Sequence, residues 1–127
     1  MILVDSSVWI DHLRVANPSL LDLIFDEMVL GHPFVIGELA VGSIASRQEF
    51  LSKLSDLPTA MMATDAEVLE LIERRSLFNR GIGFLDAHLL ASVLLTDSAK
   101  LWTFDRRLHS LAEREGCAAE LPRRQPH

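Results

Sequence analysis

Four acids stand out in this 127-residue sequence because of what surrounds them. Asp5 closes the apolar run ILVD and Asp105 closes LWTFD, and a helical pattern follows each. Asp86 opens GFLDAHLLASVLL, the most apolar stretch of the chain. Glu38 sits among Val35, Ile36, Leu39 and Val41, the lone acid between Glu27 and Glu49. Each has a plain structural alternative. Asp5 and Asp105 could cap the helices that follow them. Asp86 could serve a first helical turn and its dipole, and Glu38 could face solvent. If the four share one crevice, sharper chemistry opens. Carboxylates crowded together repel one another, and hard divalent cations, which prefer oxygen ligands, relieve this. Mg²⁺ in particular keeps several waters and binds carboxylates together with phosphate oxygens.

Other chemistries find little support. Zinc would need paired histidine or cysteine ligands. His12, His32, His88, His109 and His127 show no such spacing, and Cys117 is the single cysteine. Each histidine is expected at the surface or on a helix face. His88 lies two residues from Asp86, an offset that points elsewhere on a helix. Cys117 reads as a small buried apolar residue. No GxSxG elbow presents a nucleophilic serine. The one GxG, at Gly81 and Gly83, is far short of a phosphate-binding loop. Ser7 stands where an aspartyl phosphatase would carry its second Asp. Lys100 precedes its strand rather than following it, unlike the lysine of a phospho-accepting receiver.

The elements that must position the acids read as strands alternating with helices, the mark of a parallel sheet with crossover helices. Residues 2–5 and 101–104 read as strands. In an open parallel sheet, functional groups gather at the carboxyl ends of strands. Neighbouring strands would therefore bring Asp5 and Asp105 into one crevice. Between them the spacing predicts helices from Ser6 or Ser7 to Arg14, with Trp9, Ile10 and Leu13 inward, and from Pro18 through Leu20, Leu21, Ile24, Phe25 and Met28. Gly31-His32-Pro33 is a turn. Phe34 to Gly42 reads as a helix, with a strand as the alternative. Further helices are expected over 46–54, from an Asp65 cap with Val68, Leu69, Leu71 and Ile72 inside, over 85–95, and from Arg106 to a stop at Gly116. The 85–95 helix is apolar nearly all round and therefore buried. Short strands are expected over 59–63 and 118–121. The architecture is an α/β three-layer sandwich, with residues 1–121 as one domain and 122–127 as a polar tail.

Composition is consistent with this. Hydrophobic residues make up 49% of the chain, enough for a real core. No apolar run approaches the roughly 18 residues of a membrane span. The start lacks a signal-peptide pattern, and a lone cysteine suits a reducing compartment. A cytoplasmic protein is expected. The formal charge of −6 argues at first against a nucleic-acid partner. Setting the four acids aside from 18 leaves 14 against 12 bases, a balance of only −2. Two divalent cations on the intact chain give the same figure and invert the local sign.

The segments VDSSVWIDHLR, IGELAVG, GFLDAHLLAS and LWTFDRRL, in this order, resemble the PIN-domain ribonucleases. Among these the VapC toxins of bacterial toxin–antitoxin pairs are the best match. The resemblance runs from residue 2 to about residue 111. It implies a PIN-like three-layer α/β/α sandwich with a small central parallel sheet. It implies a metal-dependent endoribonuclease in which Asp5, Glu38, Asp86 and Asp105 bind Mg²⁺ or Mn²⁺. Ser6 and Thr103 would be supporting hydroxyls. A metal-activated water would attack phosphorus, leaving a 5′-phosphate and a 3′-hydroxyl. The family also implies a homodimer and a cognate VapB-type antitoxin. Arg14, Arg80, Arg106 and Arg107 are candidate RNA backbone contacts, with solvated surface charge as the alternative for each. The rival class is a PIN-like module that binds protein or RNA without cutting.

Overall fold

The computed structural model describes residues 1–122, so the polar tail expected over 122–127 lies outside it except for Pro122. Three short parallel strands form the centre: β1 (Ile2–Val4), β2 (Val29–Leu30) and β3 (Lys100–Trp102), in the order β2-β1-β3. Leu3 pairs with Leu30 on one side and Leu101 on the other. Successive strand side chains point to opposite faces. Leu3 and Val4 are both buried, and so are Leu101 and Trp102. Both faces of the sheet are therefore covered, as parallel sheets require. The result is the α/β/α sandwich expected.

Helices α1 (Ser6–Arg14) and α2 (Pro18–Phe25) cross from β1 to β2. The excursion from β2 to β3 carries α3 (Pro33–Ala40), α4 (Arg47–Ser55), α5 (Asp65–Arg74) and α6 (Phe84–Leu95), and α7 (Arg106–Arg114) follows β3. Helices α6 and α7 both pack on β3, α1 packs on α3, and α5 on α6. Local signals set the boundaries. Asn17 accepts the Leu20 N–H, with Pro18 as first residue of α2. Gly116, at φ 75°, ends α7. Helix α5 starts one residue earlier than expected. Thr64 is its cap and exchanges hydrogen bonds with Glu67, while Asp65 is the first helical residue.

Several expectations need correction. Strand β2 was not anticipated. The strands expected over 59–63 and 118–121 shrink to single bridges, Gly31 with Thr59 and Leu101 with Ala118. Met61 N–H turns away to the Thr96 hydroxyl, so the first pairing does not extend; beside the second, the Trp102 indole donates to the Pro122 carbonyl. Lys100 belongs to its strand rather than preceding it. On α1 the core face is Val8 and Trp9. Ile10 and Leu13 are about half exposed, because they line an open groove with Leu39 and Ile44. Leu69 on α5 and Leu94 on α6 also face outward. His32 is buried rather than at the surface, and His88 and His109 lie on helices, α6 and α7, but on their buried faces. Each is kept there by a polar partner: Ser92, Asp65 and Glu113 respectively. His127 lies outside the described residues.

Candidate active site

The parallel pairing of β1 with β3 sets Asp5 and Asp105 just past the carboxyl ends of adjacent strands. Asp5 N–H donates to the Trp102 carbonyl at 2.9 Å, continuing the ladder by one residue. Its carboxylate is buried, a costly place for a charge without partners. Two hydroxyls supply them. Ser7 Oγ and Thr103 Oγ1 each donate to Asp5 Oδ2 at 2.7 Å. A hydroxyl has one proton to give, so the 3.3 Å approach of Ser7 Oγ to Thr103 Oγ1 is secondary. Each hydroxyl also accepts a backbone N–H: Ser7 from Phe104 at 3.0 Å, Thr103 from Asp105 at 3.0 Å. With their acceptor sites so engaged, both protons are aimed at Asp5.

Asp105 realises its plain alternative. Its Oδ1 accepts the Leu108 N–H at 2.9 Å and caps α7. Its charge nevertheless reaches Asp86. Asp86 is the third residue of α6, and its Oδ2 accepts the Gly83 N–H at 3.3 Å. Burial pushes the Asp86 carboxyl above its usual range. The Gly83 bond opposes this, while Asp5 and Asp105 add to the rise. Glu38, on α3, is exposed as a residue. Its carboxyl is raised first by partial desolvation, then by Asp5 and Asp86, against a hydrogen bond from Ser6. Four acids from the β1–α1 junction, α3, α6 and the β3–α7 junction thus act on one another.

The residues fit a hard divalent cation. The acids and their two hydroxyl supports offer only oxygen donors, and groups that raise one another's proton affinity raise cation affinity by the same repulsion. Among the described residues no three His, Cys, Asp or Glu side chains close tightly enough to hold an ion as they stand. An ion that retains waters needs no such closure.

The other residues expected near the site divide. Thr103 supports Asp5, whereas Ser6 serves Glu38. Ser7, which the sequence offers as a helix start and as a departure from the phosphatase pattern, is the second Asp5 anchor. The signal was the doubled serine after the acid, but periodicity does not tell which of the two turns inward. Arg14 shares the groove of Ile10, Leu13 and Leu39 with Glu38, while Arg80, Arg106 and Arg107 line another groove along α7. Two buried histidines also escaped notice as scaffold. His32 donates from Nε2 to Ser92 Oγ at 2.9 Å while its Nδ1 accepts the Phe34 N–H, tying the start of α3 to α6. His88 reaches Asp65 at 2.9 Å, its ring set edge-on to Phe34 and Phe84 at 4.8 Å each. These contacts hold together the helices that carry Glu38 and Asp86. Nothing in a single sequence pairs residues so far apart.

Comparison with known proteins bears on this geometry. The chain is 48% identical over 118 residues to Ribonuclease VapC32 of Mycobacterium tuberculosis, in both strain CDC 1551 / Oshkosh and strain ATCC 25618 / H37Rv. The alignment covers 93% of this chain and 95% of that relative. No solved structure matches the chain significantly. The PIN domain matches residues 2–114, from the start of β1 to the end of α7 and so across all four acids. The chain belongs to the PIN domain family.

Proposed function

We propose that this protein is an endoribonuclease, the toxin of a toxin–antitoxin pair, cutting RNA at the crevice of Asp5, Glu38, Asp86 and Asp105. The observation that carries this reading is the mutual electrostatic pressure among acids from four separate elements, with the Asp5 carboxylate held in place by hydrogen bonds from Ser7 and Thr103. The similarity to a protein named a ribonuclease supports it. A divalent metal, Mg²⁺ or Mn²⁺, would be held by the four carboxylates. When bound it supplies charge to a phosphate oxygen and a more acidic water. The chain's own part is placement. Asp5 is fixed by two hydroxyls and Asp105 by its cap, so neither carboxylate has to reorganise. Glu38 and Asp86, whose affinity for positive charge is raised, complete the crevice.

The VapC name of the relative implies an antitoxin, here a VapB-type partner. The apolar groove beside Glu38, lined by Ile10, Leu13, Arg14, Leu39 and Ile44, suits an amphipathic segment of such a partner. A homodimer is proposed as well. Leu21, Ile24, Phe25 and Met28 leave an apolar face on and just beyond α2 open, with Phe25 88% exposed. With RNA as substrate, the place of action is the cytoplasm. The test is cleavage of RNA by the purified protein with Mg²⁺ or Mn²⁺, with excess EDTA, and with Asp86→Asn. Cutting by the parent with metal alone is expected. Cutting that persists in EDTA would overturn the metal mechanism, and a parent inert with either metal would overturn the nuclease reading.

A further inference from the structure

A second charged surface begins where the acids end. Along α7 runs a groove of about 950 Å³ whose lining includes Arg80, Arg106, Arg107, Ser110, Glu113 and Arg114. Part of its charge is already spent. Glu113 lies 3.5 Å from His109, and Arg114 pairs with Glu115 at 3.2 Å. Arg80 Nε gives one hydrogen bond, to the Ser76 carbonyl. Among the described residues Arg106 and Arg107 have neither an ion pair nor a hydrogen bond from their guanidinium groups. The groove therefore carries three guanidinium groups that no carboxylate neutralises.

Arg107 is placed by a glycine. Gly81 has φ +79°, and a Cβ there would stand 2.6 Å from Arg107 Cδ, 2.8 Å from Nη1 and 2.9 Å from Nε. The Arg107 side chain thus lies against bare backbone, at a distance that any other residue at 81 would forbid. The same loop presents Arg80 next door and, two residues on, the Gly83 N–H that holds Asp86. At the other end Arg106 directly follows Asp105. The cations are thereby tied at two points to the acidic crevice. A guanidinium fork matches phosphate oxygens, and α7 is roughly 13 Å long at 1.5 Å per residue. That length suits the phosphates next along a strand.

We propose that this groove binds the ribose-phosphate backbone flanking the bond to be cut, with Arg107 set by Gly81 as its anchor beside Arg80 and Arg106. The inference rests on the nuclease reading but is tested apart from it. A labelled twelve-nucleotide single strand of RNA is bound in EDTA, where no cutting occurs, and affinity is followed against salt. Arg107→Ala lowers affinity about tenfold, the worth of one charge-assisted contact, and reduces the salt slope by about 0.7. Arg80→Ala and Arg106→Ala act in the same direction. Gly81→Asn tolerates the left-handed backbone but brings the intruding Cβ, which displaces the Arg107 side chain and weakens binding in the same direction, by less than Arg107→Ala. The double variant binds no worse than Arg107→Ala alone, since Gly81 acts through Arg107. With metal present, the arginine variants lose kcat/KM on the twelve-mer by a larger factor than on a dinucleotide.

Parent affinity and slope in Arg107→Ala would overturn the proposal. Additive losses in the double variant would overturn the role of Gly81. Asp86→Asn that ceases to cut yet keeps the salt slope supports both readings. A parent that binds through these arginines but never cuts would remove the nuclease reading and leave the groove as a binding site.

Discussion

Replacing Thr103 by valine probes the network around Asp5 with almost no change of shape. The residue is fully buried, and valine fills the same volume, so no cavity opens. What disappears is one hydrogen bond to a charged carboxylate and one acceptor for the Asp105 N–H. The first is worth about 1.5 to 3 kcal/mol. The second adds about 1 kcal/mol, at the low end for an unsatisfied donor because Asp105 is near water. Together they predict a loss of about 2.5 to 4 kcal/mol, or roughly 10 °C in Tm for a domain of this size. Thr103→Ser keeps both bonds and removes one buried methyl, for about 1 kcal/mol. Urea unfolding of the three proteins without metal gives the stabilities. Metal affinity should fall about 10- to 100-fold in the valine variant, as it does when a ligand's supporting bond is cut. Thr103→Val within about 0.5 kcal/mol of Thr103→Ser would mean that the hydroxyl does not hold Asp5.

Asp86→Asn should abolish metal-dependent RNA cleavage and yet unfold later than the parent at pH 7 without metal. The fold raises the proton affinity of Asp86 above its usual 3.8, so ionisation costs stability as pH climbs past that value. The advantage of the variant should vanish below it, which chemical denaturation across pH measures. Mn²⁺ at a hundred times its Kd should stabilise the parent by about 2.7 kcal/mol, seen as a rise in Tm that Asp86→Asn lacks. His32 titrates in the opposite sense. Burial and then His88 lower it to about 4 in the fold, so stability drains as pH falls from 6.5 toward that value, by up to about 3 kcal/mol. His32→Asn keeps the α3 cap and should flatten this acid limb in a pH series of urea melts. Expression of the parent alone should arrest growth of a bacterial host. Co-expression with the antitoxin, or Asp86→Asn, should restore it.

The parts of the molecule visible in the sequence were those written in unbroken runs. ILVD and LWTFD each announce a buried strand and then an acid, and β1 and β3 lie side by side with Asp5 and Asp105 past their ends. Strand β2 is two residues long. It follows so closely on the apolar spacing of α2 that Met28, the residue before it, reads as more helix. What ends α2 is Glu27 at φ 56°, a left-handed residue of a type that gives no warning. The inward face of α1 was misjudged for a different reason. Periodicity shows that an apolar side exists, but Ile10 and Leu13 belong to a groove rather than to the core. The pairings of His32 with Ser92 and His88 with Asp65 cross 60 and 23 positions. Such contacts exist only after the helices have docked.

The order β2-β1-β3 also governs when this protein becomes whole. Among the described residues its first and last strands are partners in the sheet, so β1 has no β3 beside it until Lys100–Trp102 has been made. A ribosome adding about 5 to 20 residues per second spends roughly 5 to 20 s between Asp5 and Asp105. Throughout that interval Asp5 lacks the Thr103 hydroxyl, and the crevice has no fourth wall. A growing chain therefore carries no finished centre until residue 105 has emerged and the ends have met across a long loop, a slow closure for a parallel pairing. Translation itself delays any activity of the centre, and an inhibitor already present has those seconds in which to find its surface.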